Sequence, residues 1–497
     1  MRNQAQLVTY ADRLAGDLQG LKALLEGPLA GVFGGVHILP FFDPIDGADA
    51  GFDPVDHRAV DDRLGTWDDV QAVAATHPVM ADLIVNHVSA RSPLFQDFLA
   101  RGNASEHAEL FLTLDRVFPD GVNEALLGKL YRPRPGLPLT PVQLGDRTKR
   151  VVWTTFTSEQ IDIDVRSAAG RAYLDSILDR FAEHGIRSVR LDAVGYAIKT
   201  PGTSSFMTEE TFAFIDDLTA RAHARGIEIL VEIHSYWRKQ VEIAARVDYV
   251  YDFALPPLVL HALYTGTTAP LRRWFELRPR NAITVLDTHD GIGVIDIGPD
   301  TGDLAGSPGL LDAAEIDQLV EGIHEHSRGS SQLATGAAAS NVDLYQVNCT
   351  FFDALARDDD AYLLARALQL FLPGIPQIYY VGLLAGTNDV ELLHATGVGR
   401  DINRRYYATD EVLDTLTRPV VARLLQLLRF RNSHPAFDGT WSLEPGDDEE
   451  VLTMGFEQDG EVASLTADLR ARTLQVTFTR DGARHTVTDL AALPAGP

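Results

Sequence analysis

Along most of the chain, short apolar runs rich in β-branched residues alternate with longer stretches in which apolar side chains recur every three or four positions. Runs of the first kind mark strands and the second spacing marks helices, so the alternation predicts βα units that feed a parallel sheet. Eight runs qualify: Leu7 to Tyr10, Gly35 to Pro40, Val79 to Asn86, Ser188 to Val194, Glu228 to Ile233, Asp248 to Ala254, Ile283 to Asp287 and Pro376 to Val381. Eight parallel strands, each followed by a helix, predict an α/β chain folded as a (β/α)8 TIM barrel. Helical spacing is plainest over Ser167 to His184, Glu209 to Ala224 and Thr417 to Arg431.

Two intervals are too long for simple loops: about 100 residues between the third and fourth runs, and about 90 between the seventh and eighth, helices included. Both read as inserted subdomains, over 87–167 and 292–356. The first carries RPRPGLPLTP (Arg132 to Pro141), and the second ATGAAASNVDLYQVN (Ala334 to Asn348), whose small residues suit a mobile loop. After His434 the pattern changes to short alternating runs such as Thr473 to Thr479, with Asp-Gly pairs at Asp459 and Asp481 that favour hairpins. A barrel over 1–435 followed by a small antiparallel β domain over 436–497 is the expected layout.

Composition narrows the function. At 497 residues, 45% hydrophobic and 23% charged, the chain can bury a large core. Its formal charge of −27, from 70 acidic against 43 basic residues, repels phosphate backbones and anionic lipid alike, which argues against nucleic acid and membrane roles. A phosphate-bearing substrate would have to be met by positive charge concentrated in the site. One cysteine, Cys349, excludes an intramolecular disulfide. No apolar stretch opens the polar N-terminus MRNQAQLVTYADRL, and no run of eighteen or more apolar residues follows. A soluble enzyme of the reducing cytoplasm is expected.

Active sites of such barrels lie at the C-terminal ends of the strands. Asp192 ends the fourth run in RLDAVGY, Glu232 the fifth in ILVEIHSY, and Asp290 follows the seventh in VLDTHDG. His87 ends the third run in IVNHVS, and Asp49 follows the second in DGADAGFDP. Any one of these could simply hold a loop. Together at one barrel mouth, however, they would repel one another and lose solvation unless some function uses their altered pKa values. Glycoside cleavage needs that arrangement, with one carboxylate to attack the sugar and one kept protonated for the leaving oxygen. The residues alone leave open which carboxylate attacks. Arg190, two residues before Asp192, shares its strand face and could keep it ionised, although an Arg beside a strand-end Asp is also a common structural contact. No Asp-rich loop with calcium-ligand spacing occurs, so neither a metal nor a cofactor is expected.

In this order the motifs resemble the four strand-end signatures of the α-amylase superfamily of retaining glycosidases. Longer stretches resemble its sucrose phosphorylase family: HILPFFDPIDGADAGFDPVDH, YRPRPGLP, RLDAVGYAIKTPGTSSFMT, VYDFALPPL, VLDTHDGIGVIDIG, ATGAAASNVDLYQVN and RDINRRYY. They span most of residues 1–435, while the C-terminal part carries much less signal. The resemblance implies that Asp192 is the nucleophile, Glu232 the general acid and base, and Asp290 the transition-state stabiliser. It implies that His87 and His289 bond glucose hydroxyls, that Asp49 and Arg400 close the glucose pocket, and that Phe52 and Phe156 form an apolar platform. Arg134, His234 and Tyr345 would contact phosphate, and Tyr196, Asp343 and Gln346 would hold fructose. The activity so implied is conversion of sucrose and inorganic phosphate to glucose 1-phosphate and fructose, with the loop near Ala337 to Gln346 moving between steps; a homodimer is compatible.

Phosphorylases of sucrose 6'-phosphate or glucosylglycerol would share the catalytic residues, and RPRPGLP and SNVDLYQ favour sucrose. A hydrolase of small α-glucosides is disfavoured by Arg134. A catalytically dead sugar-binding protein would be expected to lack one of the three carboxylates, and all are present.

Overall fold

Every one of the eight apolar runs becomes a strand of one closed parallel barrel: β1 Gln6–Thr9, β2 Gly35–Ile38, β3 Val79–Ile84, β4 Ser188–Asp192, β5 Glu228–Val231, β6 Tyr249–Asp252, β7 Ala282–Thr284 and β8 Ile375–Tyr379. The computed structural model describes residues 1–47, 49–133, 136–300, 306–335, 346–445 and 449–494. Gln6 of β1 pairs with Gly35 of β2 on one side and Gln377 of β8 on the other, which closes the ring.

The strands are shorter at their C-terminal ends than the runs that predict them. β4 stops at Asp192 because Ala193 turns into the left-handed region at φ 54°, and β8 gives way to a helix at Tyr380. At the mouth the chain leaves the ladder while its side chains stay buried under the loops, so hydrophobicity outlasts strand pairing.

Alternation along the strands sorts their side chains onto two faces. Leu7, Val36, Ala81, Val189, Ile229 and Val250 join the large core between sheet and helices. Met80, Leu230, Tyr251, Ile283 and Ile375 form a separate cluster inside the barrel. The inner face also carries charge: Asp82 of β3 sits opposite Arg190 of β4 in the ladder, and both are buried.

Between β3 and β4 the chain forms a ribbon, His87–Ser89 with Gln160–Asp162, and a hairpin, Leu139–Gln143 with Lys149–Trp153. Leu112, Phe118, Leu130 and Trp153 give this segment a small core of its own. His87 therefore opens the ribbon and does not end β3, since that strand stops at Ile84. Between β7 and β8 a two-residue ribbon, Ile292–Gly293 with Gln346–Val347, precedes and follows the helix Ala313–His326 and its neighbours.

The helix expected over Thr417 to Arg431 runs from Pro419 to Ser433, with proline in the first turn, where its missing N–H is not needed. Beyond it lies a five-stranded antiparallel sheet: β9 Thr440–Leu443, β10 Val451–Gln458, β11 Glu461–Asp468, β12 Thr473–Arg480 and β13 Ala483–Val487. Its two Asp-Gly turns have positive φ at both residues, 52° and 86° at Asp459 and Gly460, and 53° and 74° at Asp481 and Gly482, as two-residue hairpins prefer. No helix among the described residues is long and apolar enough to cross a membrane.

A buried ion pair braces the outside of the barrel. Asp252 at the end of β6 accepts from Arg278 Nε at 2.7 Å and from Trp274 Nε1 at 2.8 Å, and Arg278 also donates to the Pro373 carbonyl at 2.7 Å. Asp252→Ala would leave a fully buried guanidinium without its anion, a loss of about 3–5 kcal/mol. The urea midpoint is expected to fall accordingly, and an unchanged midpoint would show that the pair contributes nothing.

Candidate active site

The loops that leave the barrel strands enclose a cleft with about 830 Å³ of empty space, its open mouth included. Of the residues singled out from the sequence, Asp49, Phe52, His87, Phe156, Asp192, Tyr196, Glu232, His234, His289, Asp290, Gln346 and Arg400 line it. Arg190 lies under its floor. Arg134, Asp343 and Tyr345 fall outside the described residues, as does all of the loop 337–346 except Gln346.

Arg190 organises the floor. Its Nη1 donates to Asp82 Oδ1 at 2.6 Å and to Asp192 Oδ1 at 2.9 Å, while Nη2 is 3.9 Å from Glu232 Oε1. Asp82 is held from its other side by His37 Nε2 at 2.9 Å. Burial alone would raise the Asp82 carboxyl, but His37 and Arg190 bring it down to about 2.

At one end of the cavity two guanidiniums face two carboxylates. Arg400 Nη1 lies 2.9 Å from Asp290 Oδ1 and 3.8 Å from Asp49 Oδ2. Arg404, fully buried, sits behind with its terminal nitrogens 3.6 Å from both Asp49 and Asp290, and its Nε donates to the His289 carbonyl at 2.8 Å. Burial works to raise the Asp290 carboxyl, yet Arg400, His289 and Arg404 hold it well below the usual carboxylate range. Asn403 adds a donor to the Asp290 carbonyl at 3.3 Å. This end is a rigid, ionised wall.

The two histidines are neutral donors or acceptors rather than cations. Burial brings His289 down to about 3 and also lowers His87. His289 stacks on Phe52 at 4.7 Å and 11°, and His87 Nε2 lies 2.9 Å from the Phe52 carbonyl and 3.0 Å from Gln160 Nε2. Phe156 packs edge-on against His87 at 5.4 Å and Tyr196 at 5.2 Å. From Tyr196 the aromatic surface continues to Phe206 at 4.7 Å and Tyr131 at 4.6 Å beyond it, towards the mouth.

Between the ends, burial pushes the Asp192 carboxyl up to about 8; Arg190 opposes the rise, and the carboxylates of Glu232, Asp82 and Asp290 add to it. That rise belongs to the crowded carboxylates as a whole rather than to Asp192 by itself, because like charges this close disfavour full ionisation. Glu232, His234 and Asp290 bring donor atoms within 4.8 Å of one another. Within this cluster His234 Nδ1 lies 2.9 Å from Asp296, and Asp290 lies 2.9 Å from Arg400.

Sequence reasoning missed Asp82, Arg404, Gln160, Tyr131, Phe206 and Asp296. Asp82 had a signal, a carboxylate in the middle of the apolar run VMADLIV. Arg404 follows Arg400 at the spacing of one helical turn. Asp296, Tyr131 and Phe206 reach the site by loop paths that periodicity does not reveal.

Fold and site define an enzyme of the α-amylase class, and the family model of the alpha amylase catalytic domain matches residues 6–250. The chain is 59% identical over 466 residues to the sucrose phosphorylase of Agrobacterium vitis, covering 94% of this chain and 95% of that one. It is 54% identical over 467 residues to the sucrose phosphorylase of Bifidobacterium adolescentis, covering 94% and 92%. Among solved structures, the crystal structure of sucrose 6F-phosphate phosphorylase from Thermoanaerobacter thermosaccharolyticum matches with a TM-score of 0.90 at 38% identity, over 98% of each chain. The chain belongs to the sucrose phosphorylase family.

Asp82 yields a pH prediction. A carboxylate whose pKa is lowered on folding contributes stability above its unfolded value, near 3.8, and loses it as the pH falls through the folded value, about 2. Asp82→Asn should cost about 3–5 kcal/mol at pH 7, and the deficit should shrink by about 1 kcal/mol by pH 3. Urea midpoints of both proteins across that range test it; a deficit that grows on acidification would contradict the assignment.

Proposed function

We propose that this chain catalyses the reversible phosphorolysis of sucrose, passing the glucosyl unit to inorganic phosphate through an ester on Asp192 and releasing fructose. The observation that carries the reading is a carboxylate pair, Asp192 and Glu232, above one shared guanidinium, in a cavity closed at one end by Asp49, Asp290, Arg400 and Arg404. A closed end accepts one terminal glucosyl unit and blocks the threading of a longer glucan. Near-full-length similarity to two sucrose phosphorylases supplies the donor and acceptor.

In this reading Asp192 attacks the anomeric carbon while Glu232 protonates the glycosidic oxygen, and fructose leaves. Arg190 supports the division of labour, because it bonds Asp192 at 2.9 Å but stays 3.9 Å from Glu232. The cation thus favours ionised Asp192 as the attacking group and leaves Glu232, which it does not bond, for the leaving oxygen. Phosphate enters the vacated side, and Glu232 takes its proton as it attacks the glucosyl ester. Two inversions give net retention, and α-glucose 1-phosphate is the product. The ionised Asp290, pinned by Arg400, faces the positive charge that develops on the sugar ring. His87 and His289, neutral and buried, bond glucose hydroxyls without adding charge. A reducing cytoplasm suits the buried, unpaired Cys349.

Incubating the protein with sucrose, with and without phosphate, and quantifying glucose 1-phosphate, glucose and fructose is the direct test. Phosphate-dependent glucose 1-phosphate is expected; equal glucose and fructose regardless of phosphate would make the protein a hydrolase, and activity on sucrose 6'-phosphate alone would reassign the donor. Glu232→Gln should slow sucrose turnover by about 10²–10⁴-fold. It should leave much faster release of fluoride from α-glucosyl fluoride, whose leaving group needs no proton. Equal losses on the two donors would remove Glu232 from the acid role.

A further inference from the structure

Asp296 does not face the substrate space. It is fully buried behind His234, with Oδ2 2.9 Å from His234 Nδ1, while Oδ1 accepts from Ser235 N at 3.1 Å and Gln240 Nε2 at 2.6 Å. The imidazole stacks on Phe253 at 3.9 Å and 15°, and its Nε2 lies 3.9 Å from Glu232 Oε1 at the cavity wall. Gly293 passes so close that a Cβ there would stand 2.5 Å from Asp296 Oδ2 and 3.2 Å from His234 Nδ1. Ring and carboxylate have no room to part.

Among the described residues, the charged groups facing the ring are anionic. Glu232 comes from its own segment, and Asp290 and Asp296 from the stretch after β7. Phe253 after β6, Gln240 of the helix Trp237–Ala244, and Gln346 on the neighbouring ribbon add no charge. Burial disfavours a charged ring, but Asp296, followed by Glu232 and Asp290, outweighs it, and His234 keeps its proton to higher pH than an ordinary histidine.

We propose that Asp296 is a positioning residue: it fixes His234 as an imidazolium at the acceptor side, and that fixed charge selects phosphate over water in the second half of the reaction. This rests on sucrose phosphorolysis as the activity. Once Glu232 has given its proton to fructose it is an anion, and an incoming phosphate meets its repulsion; water does not. An imidazolium 3.9 Å away offsets that charge. As dihydrogen phosphate attacks, its oxygen bonds the anomeric carbon, the bond to Asp192 breaks with its electron pair returning to the carboxylate, and the attacking oxygen's proton passes to Glu232. The His234 proton stays in place throughout.

The ratio of glucose 1-phosphate to free glucose formed from sucrose at fixed phosphate, followed from pH 5.5 to 9 in wild type and Asp296→Asn, tests this. Rising pH discharges His234, so the ratio should fall, and without the Asp296 charge the fall should begin about one pH unit or more lower. Above the pH at which the wild-type ratio falls, that displacement amounts to roughly a tenfold lower ratio in the variant. Phosphate titrates in this range too, but identically for both proteins, so the difference reports the enzyme. Coincident ratio profiles, or equal loss of both products with an unmoved profile, would overturn the proposal while wild-type phosphorolysis stands. A wild type that makes no glucose 1-phosphate would overturn the underlying reading and this proposal with it. Independently of the variant's folding, the ¹⁵N shifts of His234 in the wild type, identified by their loss in His234→Gln, should remain those of an imidazolium to higher pH than in an ordinary histidine; a ring that loses its proton at or below the ordinary histidine range would overturn the proposal.

Discussion

One buried guanidinium, that of Arg190, sets the terms for everything around it. A cation inside a barrel is costly unless anions meet it with good geometry, and here Asp82 and Asp192 do so at 2.6 Å and 2.9 Å. The backbone ladder enforces the first of these contacts, because Arg190 and Asp82 are direct partners across β4 and β3. The second follows from the two-residue period that puts Arg190 and Asp192 on one face. Asp192 therefore cannot be re-aimed without disturbing two strands, and those strands belong to a closed ring with no free edge. The same cation opposes protonation of Asp192, so the electrostatics of the floor are a consequence of strand register.

The two ends of the cavity are built differently, and the difference matches what each must do. At the Asp290 end the contacts are ion pairs between buried groups, with Arg404 backing Arg400 and Asn403 tied to the backbone on either side of His289. In the proposed reaction, such a wall is where one sugar would be recognised and held through both half-reactions. Toward the mouth the lining passes to Phe156, Tyr196, Phe206 and the exposed Tyr131, carried on the segment between β3 and β4 and the loop after β4. Aromatic faces tolerate exchange of one hydroxylic partner for another. A double displacement needs that asymmetry, since the glucosyl unit stays while its partner changes.

How much of this could be read beforehand divides along the same line. All eight barrel strands were legible because inside and outside of a barrel both exclude water, which leaves continuous apolar runs in the sequence. Asp192, Glu232 and Asp290 were legible as polar residues ending such runs. His87 was placed on the end of β3 because IVNHVS stays apolar past Ile84, although the ladder has already ended there. Arg404 and Asp82 escaped notice for the opposite reason to Tyr131: they look structural in sequence, and only their distances to Asp49, Asp290 and Arg190 bring them into the site. Asp296 lies within the quoted stretch VLDTHDGIGVIDIG but was given no role, because nothing in the sequence pairs it with His234, which was read only for contact with phosphate.

The turn that follows Asp192 shows how the fold holds this geometry against its own preferences. Ala193 adopts φ 54° and ψ 20°, a left-handed conformation that a residue with a Cβ enters at a cost of about 1–2 kcal/mol. Glycine would sit there more easily, but it would also widen the range of directions in which the strand could end. Ala193 instead limits the turn, and its surroundings oblige it: the Tyr196 N–H donates to the Ala193 carbonyl at 3.1 Å, and the Met207 N–H to Gly195 at 3.0 Å. Two residues on, Gly195 is pressed so near Phe206 that a Cβ would approach Cε2 to 2.9 Å. Strain at the strand end, close packing at the next step and the Arg190 pair behind it constrain the same carboxylate from three directions. That convergence suits the nucleophile proposed at Asp192, and it places the glycine where Phe206 leaves no space for a Cβ while the left-handed turn beside Asp192 falls on Ala193.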